Sequence, residues 1–133
     1  MPIRKGVVWM WLALSACNAP EADLPEAYRA LPVPEARLAS ADARRHGREL
    51  YLQHCVLCHG VAADGNGVRS MGLTPRPVDF TQSAFRAKMT PRRVFHAIRE
   101  GRRGTAMSGW PSLSDEKAWD LVAYLLSVSE AGP

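Results

Sequence analysis

The feature that most constrains this chain is a pair of cysteines three positions apart, with a histidine directly after the second. The five residues are Cys55, Val56, Leu57, Cys58 and His59. This C-x-x-C-H spacing is an attachment signature for c-type haem. Two thiols so spaced can each form a thioether with a vinyl group of one porphyrin, and the adjacent imidazole then coordinates the iron. The motif therefore predicts one covalently bound haem c.

Two other uses of paired cysteines fit the sequence less well. A structural zinc site needs a second pair of ligands, and Cys17 is the only other cysteine among the 133 residues. A thioredoxin-like redox pair is typical of a βαβ context, which the sequence lacks. Haem attachment is the interpretation that remains.

The N-terminus has the pattern of an export signal. Arg4 and Lys5 precede an apolar stretch over residues 6–14, which is shorter than the ~20 residues that a spanning helix needs. The next residues, Ser15, Ala16 and Cys17, complete a quartet with Leu14 that resembles a bacterial lipobox. The resemblance implies a lipoprotein signal peptide over 1–16 and acyl chains on Cys17. We expect an exported, lipid-anchored protein on the periplasmic side of a bacterial membrane. An ordinary cleaved signal with an incidental cysteine is the alternative.

Prolines interrupt any helical or strand periodicity in residues 17–40. We predict that this segment is a Pro/Ala-rich tether. The alternative is that part of it packs on the domain. Residues 41–133 are predicted to form the folded domain, and the 47% apolar content is enough for one small core. Three helices are predicted within it, over 41–54, 91–100 and 115–128. Residues 60–80 are rich in glycine and proline and predict a long loop. The predicted fold class is all-α, with about three main helices wrapped around the haem.

The sixth iron ligand has several candidates. They are Met71, Met89, Met107, His46, His54 and His96. Met107 lies in an irregular loop between two predicted helices and is well placed to close over the open haem face, so it is the predicted ligand. The histidines are interpreted as solvated or at the edge of the core, and the other two methionines as packing residues.

The chain resembles class I cytochrome c. The haem motif is the first feature of the resemblance, and the segment from Gly104 to Met107 is similar to the methionine-ligand loop of that family. Gly47 and Tyr51 stand where the family packs its first helix across its last. The matching leucine and aromatic of the last helix are Leu121 and Tyr124.

The resemblance implies further site residues. A proline after the glycine-rich loop often supplies a carbonyl that accepts a hydrogen bond from the proximal histidine; Pro75 or Pro77 is expected in that role. Trp110 is expected at the haem edge, as a packing residue or a donor to a propionate. On the last helix, we expect one apolar face to fill the helix crossing and the opposite face to line the haem pocket. The crossing face is Leu121, Tyr124, Leu125 and Val128, and the pocket face is Trp119, Val122, Ala123 and Leu126.

These features predict a membrane-tethered monohaem cytochrome that transfers single electrons in a respiratory or related periplasmic chain, as a shuttle or a complex subunit. It would not itself be an enzyme. One alternative is a haem enzyme or gas-sensing domain with an open sixth position, and another is an interaction module without redox function.

The charge distribution suggests a redox partner. The formal net charge is +4, which together with export disfavours nucleic-acid binding. Five arginines cluster near the methionine loop: Arg92, Arg93, Arg99, Arg102 and Arg103. They predict docking to an acidic partner, with electrostatic steering. The alternative is a solvated helix face that also pairs with the haem propionates.

Overall fold

The computed structural model describes residues 21–131, and this part of the chain is helical, with no strand. In chain order the helices are α1 (Glu26–Arg29), α2 (Glu35–Leu38), α3 (Ala41–His54), α4 (Val56–His59), α5 (Ser83–Lys88), α6 (Pro91–Glu100) and α7 (Asp115–Ala131). The all-α prediction is confirmed. The three long helices lie where the sequence predicts them, α7 continuing three residues further. Within residues 21–131, no helix has the length and apolar character to cross a membrane.

Side-chain caps begin the three long helices. The hydroxyl oxygens of Ser40, Thr90 and Ser114 accept hydrogen bonds from backbone N–H groups three residues later, each at 3.3 Å. Such a cap satisfies a donor that the helix leaves unpaired and is worth about 1 kcal/mol. At the other end of α6, Gly101 stops the helix with a φ of +73°. Local sequence therefore determines where these three helices begin and where α6 ends.

The crossing of α3 and α7 is the centre of the fold. A Cβ on Gly47 would lie 2.6 Å from the carbonyl carbon of Asp120 and 2.9 Å from the Cβ of Tyr124. The missing side chain lets the two backbones touch, as expected for Gly47. Tyr51, one turn further along α3, is fully buried and packs against Tyr124, with ring centroids 5.3 Å apart.

Residues 21–40 differ from the predicted tether, because they fold against the domain. They contain α1 and α2, and both Leu24 and Leu38 are buried. The prolines do not keep this segment extended, since Pro25 and Pro34 stand just before the first turns of the two helices, where a proline is tolerated. We call residues 21–40 the N-terminal strap. The predicted signal peptide, 1–16, and Cys17 lie outside the described residues.

Candidate haem site

An apolar cavity lies beside the C-x-x-C-H motif. The space in it that a water-sized sphere can occupy is about 30 Å³. It is lined by Tyr51, His54, Cys55, His59, Phe80, Ile98, Met107, Trp110, Leu113, Leu121 and Leu125. The cavity thus brings together a predicted attachment cysteine, both predicted iron ligands and the predicted edge residue Trp110.

The end of α3 and the single turn of α4 present the motif. The backbone N–H of Cys58 and that of His59 both donate to the carbonyl of Cys55, at 3.2 and 2.9 Å. This turn places the three functional residues on one short stretch of helix. Both thiols are free in the structure. In the chain without haem, burial raises the pKa of the Cys55 thiol to about 12.

The His59 imidazole is held on two sides. Its Nδ1 lies 3.2 Å from the backbone carbonyl oxygen of Val78. Its ring stacks on Phe80, with centroids 4.7 Å apart and an angle of 27° between the planes. Burial lowers the pKa of His59, although the hydrogen bond to Val78 opposes the shift. A neutral imidazole that donates from Nδ1 leaves the Nε2 lone pair free for a metal, as is usual for metal-binding histidines.

The prediction of a proline carbonyl for this hydrogen bond is wrong. Neither Pro75 nor Pro77 supplies the acceptor, and neither lines the cavity. The carbonyl of Pro77 instead faces Gly65, where a Cβ would lie 2.6 Å from its oxygen. The path of the loop therefore turns the next carbonyl, that of Val78, toward His59.

Hydrogen bonds hold the loop that carries Met107. The N–H of Arg102 donates to the carbonyl of Met107 at 3.0 Å, and the N–H of Met107 donates to the Thr105 hydroxyl at 3.1 Å. An antiparallel bridge joins Gly101 and Ser108 across the base of the loop. These bonds keep the thioether of Met107 beside the cavity.

The other candidate ligands are placed elsewhere, with one exception. Met71 is 89% exposed, and Met89 packs against the core away from the cavity. His46 contacts the Asp120 carboxylate at 2.7 Å, and His96 packs on Tyr28. The exception is His54, which lines the cavity and packs against Trp110, with ring centroids 4.7 Å apart.

The expected faces of the last helix are right for Tyr124, which packs at the crossing with α3, but wrong for other residues. Leu121 and Leu125 line the cavity, whereas Trp119 stacks on Phe95 of α6 at a centroid distance of 4.3 Å. Because α7 is covered on most sides, apolar spacing alone does not show which neighbour each face meets. Asp120 on the same helix is only 2% exposed and is paired with Arg37 and His46.

Sequence reasoning also missed cavity residues. Phe80, Ile98 and Leu113 line the cavity, and Val78 supplies the histidine's acceptor. The sequence marks Ile98 as apolar on its helix but gives no sign that it faces the haem motif. The other three lie in loops or irregular segments, where no periodicity points to a partner.

Three of the five clustered arginines are engaged within the protein. Arg92 donates from Nε to the carbonyl of Leu31 at 2.8 Å, Arg93 pairs with Asp23, and Arg99 donates to the carbonyl of Leu113. Arg102 and Arg103 are exposed in the loop that leads to Met107. Of the five arginines, only Arg102 and Arg103 therefore stay candidates for contact with an acidic partner.

The family comparison gives a match over most of the folded region. The model of the family described as cytochrome c oxidase, cbb3-type, subunit III matches residues 42–125. This chain belongs to that family. The resemblance to class I cytochrome c is confirmed, and covalently bound haem c is the cofactor of this cytochrome domain.

Solved structures agree with this assignment. The cytochrome is similar to a chain of the Kuenenia stuttgartiensis reducing HAO-like protein complex Kustc0457/Kustc0458, with a TM-score of 0.55 and 26% identity over 65% of this chain and 42% of that one. It is also similar to the KustC0563 c-type cytochrome, with a TM-score of 0.50 and 32% identity over 62% of this chain and 95% of that one. The cytochrome thus spans less than half of the HAO-like complex chain. No curated protein matches it.

The residues of the cavity fit haem c. The two cysteines have the spacing and the free thiols that thioether attachment requires. His59 would hold the iron through Nε2, and the thioether of Met107 lines the same cavity. The remaining lining is mostly aliphatic and aromatic, which suits a porphyrin face.

Proposed function

We propose that this cytochrome transfers single electrons on the periplasmic side of a bacterial membrane, tethered by a lipid on Cys17. The observation that carries the proposal is that His59 and Met107 line one apolar cavity together with Cys55. Under this proposal the protein is a carrier or complex subunit and does not itself transform a substrate.

The ligand set explains the choice of electron transfer. Bound haem supplies a one-electron iron couple, and methionine as a ligand favours a high potential. If the His59 imidazole and the Met107 thioether hold the iron together, they would leave no coordination position for a substrate. The apolar lining limits the access of water, which tunes the redox potential of such a site. The hydrogen bond to Val78 and the stacking on Phe80 keep the imidazole in one orientation.

The competing function is a haem enzyme or gas sensor with an open sixth position. Carbon monoxide distinguishes the two, because it binds reduced haem iron readily only where a position is open. We expect the absorption spectrum of the reduced protein to stay unchanged after carbon monoxide is added. A five-coordinate haem protein measured alongside checks that the gas was delivered. A stoichiometric spectral shift in this cytochrome would favour the alternative.

The proposed partner is another redox protein, and the cytochrome could serve it as a shuttle or as a bound subunit. Support comes from the similar chain in the Kuenenia stuttgartiensis complex, which is itself part of a redox assembly. Arg102 and Arg103, exposed beside the Met107 loop, are the proposed contacts for an acidic surface.

The lipid anchor is tested by Cys17→Ser. The protein is produced with haem attachment in a bacterial host that lacks its partners, so that only the anchor can hold it on membranes. We expect the unchanged protein in the membrane fraction and the variant in the soluble fraction, followed by haem absorbance. Multiple acyl chains bind membranes stably, whereas an exported domain without them has no such attachment. Unchanged protein found in the soluble fraction would contradict the anchor.

A further inference from the structure

We infer that the N-terminal strap is a docked spacer that holds the haem site close to the bilayer, so that the redox partner is a protein in the same membrane. This inference rests on the proposed lipid anchor at Cys17. It goes further by choosing between a long-range shuttle and a closely held subunit.

The first residues of the strap are fixed to the start of α6. The Glu21 carboxylate lies 3.2 Å from Nη1 of Arg92 and also accepts a hydrogen bond from the Thr90 hydroxyl. Asp23 accepts two hydrogen bonds from the Arg93 guanidinium, one of them at 2.9 Å. These bonds lower the pKa of Asp23, so the carboxylate stays charged at neutral pH. The first residues of the strap, which we call its entry point, therefore lie at this end of α6.

The middle of the strap is held by an aromatic contact. The Tyr28 ring meets His96 edge-on with centroids 4.6 Å apart, and its hydroxyl donates to Glu100. The carbonyl of Leu31 accepts the hydrogen bond from Arg92 at 2.8 Å. Both contacts lie along α6, so the strap follows that helix rather than leaving its surface.

The last part of the strap is anchored to α7. Leu38 is buried in the core, and Arg37 donates from Nε to the Asp120 carboxylate at 2.8 Å. Asp120 is almost wholly buried, and without Arg37 its carboxylate would keep only the contact with His46; removing a charged partner from a buried carboxylate is destabilising. Release of this end of the strap is therefore disfavoured as well.

The docked strap shortens the reach of the anchor. Cys17 precedes Glu21 by only four positions, which span at most about 14 Å when fully extended. A free chain over the predicted tether, 17–40, would instead have an end-to-end distance of roughly 25–30 Å, and more when stretched. The entry point and the Met107 loop lie at opposite ends of α6, a helix about 15 Å long. The haem site is thus held near the membrane surface.

Two changes to the lipidated holoprotein test the spacing. Glu21→Ala, Asp23→Asn and Tyr28→Ala together remove the contacts that these strap side chains make with α6, without touching the cavity. A second variant keeps the strap docked but inserts twenty Gly/Ser residues between positions 20 and 21. The matched control is Glu26→Gln, because Glu26 pairs with Arg29 inside the strap itself.

Each protein is bound to vesicles of phosphatidylethanolamine and phosphatidylglycerol that carry a headgroup dye, whose emission the haem quenches by energy transfer. We expect strong quenching for the parent and the control, and a loss of at least about twofold for both variants, because their tethers reach further. Amide exchange of residues 21–31 should be slowed by at least about tenfold in the parent and control but not in the strap-release variant. An unchanged haem spectrum checks that the variants fold.

Unprotected strap amides in the parent would overturn the inference, as would equal quenching by the parent and the insertion variant. If the parent does not bind the vesicles, the lipid anchor and the spacing role both fail. Slow amide exchange in the strap would then show that the strap is docked but has only a structural role.

Discussion

At the scale of single residues, Gly47 is where α3 and α7 come closest. The atom that an added Cβ would meet first belongs to the backbone at Asp120, so no side-chain rotation can relieve the contact. The two helices would have to separate, and Tyr51 and Tyr124 on either side would lose packing.

We therefore expect Gly47→Ala to lower the free energy of unfolding by about 2–3 kcal/mol, even though alanine is about 1 kcal/mol better than glycine in a helix. Denaturant unfolding of the holoprotein measures the change. The control is Gly72→Asn, since nothing lies within 4 Å of the Cβ position at Gly72 and asparagine tolerates its left-handed backbone. A Gly47→Ala protein as stable as the parent would show that the crossing is not tightly packed.

The residues that attach haem are close together in the sequence, whereas the residues that position them are distant from them. Cys55, Cys58 and His59 were identifiable because attachment requires that spacing within one turn. The hydrogen-bond partner of His59 was not identifiable, because it depends on which backbone carbonyl of a long loop faces the imidazole. That carbonyl belongs to Val78 rather than to a proline. The assignment of Met107 as iron ligand stays a prediction, although the structure places its side chain at the cavity.

At the scale of elements, the long helices were predictable because their signals are contained within them. Capping hydroxyls, an N-terminal proline and a terminal glycine together determine the bounds of α6. The orientation of α7 was not predictable, because its apolar residues surround most of the helix and only its neighbours decide which of them meet the cavity.

The strap shows the opposite case, an element whose structure depends on distant partners. Its prolines and alanines carry no helical periodicity, and its longest helices are four residues each. What fixes it are bonds to residues far along the chain, such as Arg93 and Asp120. Charge pairing at a separation of seventy or more residues cannot be predicted from a local pattern.

At the scale of the whole molecule, the described helices and loops form an apolar cavity that brings Cys55, His59 and Met107 together. The family match covers the part of the chain that builds this cavity. The first residues of the strap and the Met107 loop meet opposite ends of α6. Under the proposed function, the cytochrome is anchored beside one end of this helix and exchanges electrons near the other.

The absorption spectrum of the oxidised holoprotein tests the iron ligation most directly. We expect a low-spin spectrum with the weak methionine-to-iron band near the red edge. Met107→Ala should abolish that band, whereas Met71→Ala, which changes a side chain that is almost fully exposed, should keep it. A Met107→Ala protein whose spectrum matches that of the parent would contradict the proposed ligand pair and the electron-transfer function built on it.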